Sequence, residues 1–181
     1  MLSEDNTRRY TEPPQLDEAG LVAFLATQED IVAAYLFGSL AQGRATPRSD
    51  LDIAVLLRLI PDPQSDDLFP QFRLMDELRR FADREVDVVI LNTAPPVLKD
   101  QVLRHGRRVF ERDRQARVEF EVRTGQEYAD LKPMYDFFVH ALIAELKEAG
   151  LGDGDAIHDY AKIDDAKVYE ILKRRDRKSV V

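Results

Sequence analysis

The sequence predicts an α/β (α+β) protein in which a small sheet is packed with helices and is followed by a C-terminal helical extension. Short apolar runs of strand length alternate along the chain with stretches in which apolar residues recur at helical spacing. The chain has 181 residues, 44% of them hydrophobic, which suffices for one domain with its own core. We expect a flexible N-terminus at 1–15, a folded domain at 16–112 and the helical extension at 113–181.

Four strands are predicted from these apolar runs. Ile31–Phe37 is the first, and Ile53–Leu57 is a second that is short enough to be buried on both faces. Val86–Leu91 is the third, and Arg107–Glu111 is a short strand at an edge of the sheet.

Helices are predicted before, between and after the strands. Asp17 is a candidate N-cap for the first helix, and Pro95-Pro96 opens another that reaches about Arg104. Apolar residues at helical spacing mark the faces that pack on the sheet: Leu21, Phe24 and Leu25 in the first helix, and Leu68, Phe72, Met75, Leu78 and Phe81 in the helix after the second strand.

The C-terminal extension is predicted to be helical from Gln115 to about Ala149, with Pro133 kinking or dividing it. Phe137 and Phe138 are adjacent, and burial of both between helices is slightly favoured over exposure of one as a partner surface. A turn at 150–155 and a last helix from Ala156 toward Arg175 complete the prediction. The other candidate buried positions are Val118, Val122, Leu131, Leu142 and Leu146.

Gly38-Ser39 ends the first strand, and Asp50-Leu51-Asp52 opens the second. Alternate strand residues share a face, so Asp50 and Asp52 lie on one side. Two carboxylates so close repel one another, and a divalent cation between them removes that cost. Mg²⁺ or Mn²⁺ suits such hard oxygen ligands. A glycine followed by a small hydroxyl lets phosphate oxygens approach the backbone, so the pattern indicates metal-dependent nucleotidyl transfer.

A third carboxylate is expected if two ions are to activate an attacking oxygen and stabilise a leaving one. Asp87 is the candidate because it lies inside an apolar strand, where an unpaired charge is costly. Each piece also has a plainer interpretation: a Gly-Ser pair is usually a turn, Asp-x-Asp is often a loop or a cap, and Asp87 could pair with an arginine. The combination, in the right order and with strands behind it, favours the functional interpretation.

The stretch from Phe37 to Ile53, FGSLAQGRATPRSDLDI, resembles the minimal nucleotidyltransferase (MNT) family of the polymerase-beta-like superfamily. The resemblance covers roughly residues 16–112 and implies the polymerase-beta-like nucleotidyltransferase fold, with a small mixed sheet. More weakly, residues 117–123 and Tyr128 resemble the C-terminal helix of MNT proteins that are paired with HEPT-domain toxins. The sequence departs from the pattern at Gln42, where many relatives carry arginine. Arg44 or Arg48 could supply that charge, or both could be solvated loop residues.

The resemblance implies a specific activity. Gly38 and Ser39 would bind the nucleotide phosphates, Asp50, Asp52 and Asp87 would hold two Mg²⁺ ions, and Asp87 would also orient or deprotonate the acceptor hydroxyl. The members most similar to this chain are antitoxins. They transfer AMP from ATP to a tyrosine of a cognate HEPT ribonuclease, so a HEPT-domain toxin is the implied partner.

Two alternatives remain open at this stage. The first is an enzyme of the same chemistry with a small-molecule acceptor, such as an antibiotic, or an RNA acceptor. The second is a non-catalytic antitoxin that acts by binding alone. A small-molecule acceptor usually requires an additional domain, and the residues after Phe110 are too few and too helical to form one. An RNA acceptor would favour a basic surface, which is absent. Loss of the metal-binding acids would mark a non-catalytic protein, and all three acids are present.

Composition narrows the choice further. The formal net charge of -8 argues against a general nucleic-acid binder, despite the basic tail at 173–178. The absence of cysteine excludes disulfides and thiolate metal sites and agrees with a cytoplasmic location. Neither an apolar span of membrane length nor a signal peptide is predicted.

Overall fold

The computed structural model describes residues 12–60 and 70–148. Four strands and five helices make up this part of the chain. In order they are α1 (Glu18–Thr27), β1 (Ile31–Phe37), α2 (Gly38–Ala41), β2 (Leu51–Leu57), α3 (Pro70–Leu78) with a 3₁₀ turn at Arg79–Phe81, β3 (Val86–Ile90), α4 (Pro96–His105), β4 (Arg107–Glu111) and α5 (Arg114–Glu148).

The four strands form one mixed sheet in the order β3-β2-β1-β4. Strand β1 is antiparallel to both β2 and β4, whereas β3 is parallel to β2. Parallel neighbours need a crossover connection, and the stretch between β2 and β3 that includes α3 provides it. The predicted fold class is confirmed, and β4 lies at an edge of the sheet as predicted.

The main core lies on one face of the sheet. Residues 51, 53 and 55 of β2 alternate onto this face with residues 34 and 36 of β1, as strand geometry requires. Helix α1 covers it with Leu21 and Leu25, and α3 covers it with Leu74 and Leu78. Phe72, which was predicted on the apolar face of α3, is 55% exposed.

Helix α1 is fixed at both of its ends. The Asp17 side chain caps it as predicted, because its Oδ1 accepts a hydrogen bond of 3.0 Å from the Gly20 amide. The Arg112 guanidinium donates to the carbonyl of Ala26 at 2.6 Å, which satisfies one of the carbonyls that a helix end leaves open. Arg107 pairs with Glu18 at the first turn through two hydrogen bonds of 2.7 and 2.8 Å.

Asn92 completes the sheet where β2 and β3 end. Its side-chain amide accepts a hydrogen bond from the Leu57 amide at 2.8 Å and donates one to the Leu57 carbonyl at 2.9 Å. The side chain therefore pairs with Leu57 as a neighbouring strand would. Both polar backbone groups at this position are satisfied.

Residues 12–15 belong to the segment that was predicted to be flexible, and two of them hydrogen-bond to the chain before β3. The Gln15 amide donates to Asp83 Oδ1 at 2.8 Å, and the Arg84 guanidinium donates to the Glu12 carbonyl at 2.8 Å. Residues 1–11 lie outside the described part of the chain.

Helix α5 runs through Pro133 without being divided there. Among the side chains of this helix that the structure describes, the buried ones are Arg117, Phe120, Thr124 and Tyr128, spaced three to four residues apart as one helical stripe. The prediction that Val118 and Val122 are buried is wrong, since they are 40% and 56% exposed. The prediction relied on apolar residues alone and so located the wrong face of the helix, because the buried face contains a charged residue.

That charged residue is Arg117, which is buried and paired. Its guanidinium donates to Glu111 on β4 and, at 2.5 Å, to Glu121 one turn along the helix. Glu121 in turn accepts a hydrogen bond of 3.0 Å from the Tyr35 hydroxyl on β1. Burial raises the pKa of Tyr35, and the negative charge of Glu121 adds to the increase. These four side chains, which we call the Arg117 network, join the start of α5 to the sheet.

The described residues belong to two compact units. The first comprises the residues up to Pro95 together with Val102–Val122, and the second comprises Pro96–Gln101 and the residues from Arg123 onward. Within the second unit, Lys99 Nζ lies 3.2 Å from Glu127 Oε2 and so links α4 to α5. The predicted domain boundary at 112/113 remains a prediction.

Phe137 and Phe138 are 69% and 60% exposed, so the prediction that both are buried is wrong. Their rings contact each other edge to face, with centroids 5.8 Å apart. The side chains of Leu142 and Leu146, the predicted turn at 150–155 and the predicted last helix lie outside the described residues. Across residues 12–60 and 70–148, no helix has the length and apolar character that crossing a membrane requires.

Candidate functional site

Three chain segments meet at one end of the sheet. Strand β1 finishes there with Phe37, and β2 and β3 begin there with Leu51 and Val86. The register pairs Asp52 with Phe37 on one side and with Asp87 on the other. The structure therefore brings Gly38, which follows Phe37, to the same place as the acids of the next two strands.

Asp52 and Asp87 are direct neighbours across the parallel β2–β3 pair. Because side chains alternate along a strand, both lie on the face opposite that of Leu51 and Ile53, which are in the main core. Asp52 is 8% exposed, and Asp87 is half-buried. Like charges directly opposite on neighbouring strands are destabilising, by about 4 kcal/mol at 4 Å and an effective dielectric constant of 20.

Gly38 lies against Asp52. Its φ of +71° is in the left-handed region that side-chain-bearing residues rarely adopt. A Cβ at this position would overlap Asp52 Oδ2. Only glycine satisfies both conditions, so the chain backbone reaches the carboxylate directly at this position. Ser39 follows at once and is half-buried.

The loop from Gln42 to Asp50 connects α2 to β2. Helix α2, which precedes the loop, is a single turn at Gly38–Ala41. Gly43 has a φ of +65°, and the Arg44 amide donates to the Ser39 carbonyl at 2.8 Å. The loop turns at Pro47, and this turn is closed by a hydrogen bond of 3.0 Å from the Ser49 amide to the Thr46 carbonyl.

The positions of the three acids match only in part those expected for a divalent-cation site. Among the residues that the structure describes, no three acidic or histidine side chains are gathered into one metal-binding group. The in-register pair is Asp52 and Asp87, while Asp50 lies one residue before β2. Mg²⁺ typically takes one or two protein carboxylates and completes its coordination with water and substrate phosphates. A pair of carboxylates on adjacent strands suits that ion.

One contact of this loop was not anticipated from the sequence. The Arg44 guanidinium donates to the side-chain carbonyl of Gln42, so the residue at which the motif departs from many relatives contacts one of the two arginines that could supply the missing charge. The sequence does place two arginines in the loop before Asp50. It does not show which of them, Arg44 or Arg48, contacts another side chain.

Comparison with known proteins agrees with this geometry. The family described as polymerase beta nucleotidyltransferase matches residues 20–115, which is just over half of the chain and contains every candidate site residue. This chain is a polymerase beta nucleotidyltransferase. The predicted family and the assignment to the nucleotidyltransferases are confirmed.

Individual members of the family are also similar to the chain. A protein adenylyltransferase MntA from Shewanella oneidensis is 33% identical over 97 residues, which cover 53% of this chain and 66% of that protein. The match thus spans slightly less than two thirds of that relative. A putative protein adenylyltransferase from Methanocaldococcus jannaschii is 36% identical over 70 residues, covering 39% of this chain and 70% of the relative.

Similarity extends to a solved structure described as a toxin-antitoxin with AMP-PNP. One of its chains is similar at a TM-score of 0.58 and 28% identity, covering 70% of this chain and 98% of its own length. Nearly the whole of that chain thus has a counterpart in this nucleotidyltransferase.

Proposed function

We propose that this nucleotidyltransferase transfers AMP from ATP to a tyrosine hydroxyl of a HEPT-domain toxin, with Mg²⁺ as its metal ion, and so neutralises the toxin. The observation that carries the proposal is the register of Asp52 with Asp87 beside the left-handed Gly38. The pair is a costly arrangement for a fold and a useful one for binding a metal and a triphosphate. The MntA relative supports AMP transfer to a protein, and the AMP-PNP complex supports ATP as the donor.

Each chain segment has its own task in this proposal. Asp52 and Asp87, with Asp50 beside them, would hold Mg²⁺, which would neutralise the negative charge that develops on the phosphates. Gly38 lets the triphosphate approach the backbone without a side chain in the way, and the Ser39 hydroxyl donates to a phosphate oxygen.

The transfer itself exchanges a phosphoanhydride bond of ATP for a phosphate ester bond to tyrosine. The tyrosine oxygen forms a bond to the α-phosphorus of ATP, and the bond from that phosphorus to the bridging oxygen breaks, so pyrophosphate leaves. Asp87 accepts the tyrosine proton. Orientation of the two reactants accounts for most of the rate enhancement, since the protein forms no covalent bond to the nucleotide.

The test uses the whole chain together with the product of the neighbouring gene as the candidate toxin. The two proteins are incubated with Mg²⁺ and α-labelled ATP, and the label is followed on each protein by intact mass. We expect a mass gain of whole AMP units on the toxin, which peptide fragmentation then assigns to tyrosine. Loss of the toxin's ribonuclease activity should follow the same time course.

A pair of matched variants separates chemistry from binding. Asp52→Asn removes a carboxylate at the site, whereas Asp30→Asn makes the same change at an exposed position before β1. Only the first should stop labelling. An unlabelled toxin in a stable complex with the wild-type chain would favour neutralisation by binding alone, and label on RNA or on an added aminoglycoside would point to another acceptor.

A further inference from the structure

When a nucleotide binds, the proposed site has an excess of negative charge that neither its acids nor Gly38 can offset. Asp50, Asp52 and Asp87 are three carboxylates, and a nucleoside triphosphate brings about four further negative charges. Divalent cations offset part of the repulsion. Protein cations near the site can offset the remainder, and the segment between Ser39 and Asp50 contains two, Arg44 and Arg48.

The loop holds Arg44 next to the proposed phosphate-binding residue. Gly43 adopts its left-handed conformation directly after α2, and its amide donates to the Leu40 carbonyl at 3.2 Å. This turn reverses the chain, so that the Arg44 amide donates to the Ser39 carbonyl at 2.8 Å. The Arg44 side chain therefore starts beside Ser39.

A neutral partner holds the Arg44 side chain. Its guanidinium donates to the Gln42 side-chain carbonyl. An amide oxygen can orient a guanidinium without cancelling its charge, whereas a carboxylate would neutralise it. The remaining donors of the planar guanidinium are suited to bidentate contact with phosphate. Arg48 differs, because it lies in the next turn, between Thr46 and Ser49.

We infer that Arg44 binds the β- and γ-phosphates of the nucleotide and that Gln42 is the positioning residue that orients it. This inference rests on the proposed function, since it assigns a nucleoside triphosphate to the site. The contact between Gln42 and Arg44 would then determine which nucleotide binds best. An arginine beside Ser39 that can contact two phosphate oxygens favours a nucleoside triphosphate over a monophosphate.

The experiment measures nucleotide binding by the isolated chain, with no toxin present. Dissociation constants for AMP, ADP and a non-hydrolysable ATP analogue are determined by calorimetry at fixed Mg²⁺ for the wild type, Arg44→Ala and Arg48→Ala. We expect Arg44→Ala to weaken binding of the ATP analogue about tenfold, with a smaller effect for ADP and almost none for AMP. Arg48→Ala is the matched control and should change each value less than twofold.

Two variants of Gln42 test the positioning role. Gln42→Ala should weaken binding of the ATP analogue about threefold, and combining it with Arg44→Ala should give no further loss. Gln42→Glu keeps an acceptor but adds a charge, so it should weaken binding more than Gln42→Ala. A merely structural role would weaken all three nucleotides alike and would leave the two substitutions additive.

The outcomes distinguish this inference from the proposed function. A wild-type chain that binds no ATP analogue would overturn both. Tight binding by the wild type that is equally strong in Arg44→Ala would overturn the role of Arg44 while leaving the proposed transfer reaction in place. Arg48→Ala weakening binding more than Arg44→Ala would transfer the role to the other arginine and would likewise overturn the inference.

Discussion

The two ends of strand β2 are built in opposite ways. At its start, Asp52 lies beside Asp87 and against the backbone of Gly38, so two negative charges and a left-handed residue meet there. At its end, the Asn92 side chain satisfies both backbone groups of Leu57 with neutral hydrogen bonds. One end brings like charges and a left-handed residue together, and the other is joined by neutral hydrogen bonds.

This difference shows how a small domain can maintain a costly site. Backbone strain and adjacent like charges persist only where the surrounding structure compensates for them. The rest of β2 can contribute to this compensation, because its apolar residues are in the main core and Asn92 hydrogen-bonds Leu57 at its far end. Substitutions at the start of β2 should therefore change activity more than stability, and substitutions at the end should do the reverse.

The largest effect is expected from Asp50→Asn combined with Asp52→Asn. Removing two carboxylates from the start of β2 should lower the rate of AMP transfer by a factor on the order of 10³ or more, the scale on which a lost electrostatic interaction acts in an active site. The free energy of unfolding should stay the same or rise, because repelling charges are removed. Rate is measured with α-labelled ATP and stability by urea denaturation, with Asp30→Asn as the control. A fully active double variant would rule out the proposed site.

A pair of glycine variants tests the strain at this end. Gly38→Ala and Gly43→Ala both place alanine in a left-handed conformation, at φ +71° and +65°, which costs roughly 1–2 kcal/mol each. Only at position 38 would the new Cβ also meet Asp52, since nothing lies within 4 Å of it at position 43. We expect Gly38→Ala to be the less stable variant in urea and to lose nucleotide binding. Equal behaviour of the two would show that close packing of Gly38 on Asp52 has no functional importance.

Asn92→Ala tests the opposite end of the strand. The variant leaves the amide and the carbonyl of Leu57 without their side-chain partner, and we expect a loss of roughly 1–3 kcal/mol in the free energy of unfolding. AMP transfer at a temperature where the variant remains folded should stay within twofold of the wild type. Asn92→Asp is a useful comparison because it keeps the acceptor but not the donor. A large fall in transfer without a fall in stability would contradict the division between the two ends.

The smallest effect is expected from Tyr35→Phe, away from both ends of β2. The hydroxyl donates one hydrogen bond to Glu121, which is worth about 1 kcal/mol at neutral pH. Burial raises the pKa of Tyr35 in the folded chain, so its contribution is complete below the unfolded pKa near 10 and is lost as the pH rises toward the folded value. Urea midpoints of wild type and variant should therefore differ at pH 8 and converge above pH 10. A difference that is constant with pH would contradict this assignment.

The sheet was largely predictable from the sequence because each of its strands is marked by its own apolar run. The predicted bounds of Ile31–Phe37 and Arg107–Glu111 are those observed, and the acids at the start of β2 and within β3 were recognised by the contrast between charge and apolar context. Their adjacency, however, depends on strand order and register, which are non-local.

The start of α5 could not be predicted in the same way. A helical stripe is normally located by its apolar residues, and here Val118 and Val122 are exposed while Arg117 is buried. The face is set by the pairing of Arg117 with Glu111 and Glu121, and Glu111 belongs to another element. Asn92 was missed for a related reason, since its role depends on where β2 ends in space.

The parallel pairing of Asp52 with Asp87 also has a consequence for how the chain is made. The two residues lie on strands joined by a crossover, and non-local pairing of this kind requires the connecting segment to close first. A ribosome must release β3 before the two carboxylates can meet, and a register slip of one residue would turn Asp87 to the other face. A site that needs both carboxylates, as proposed here, is therefore complete only in chains that have finished the domain in the correct register.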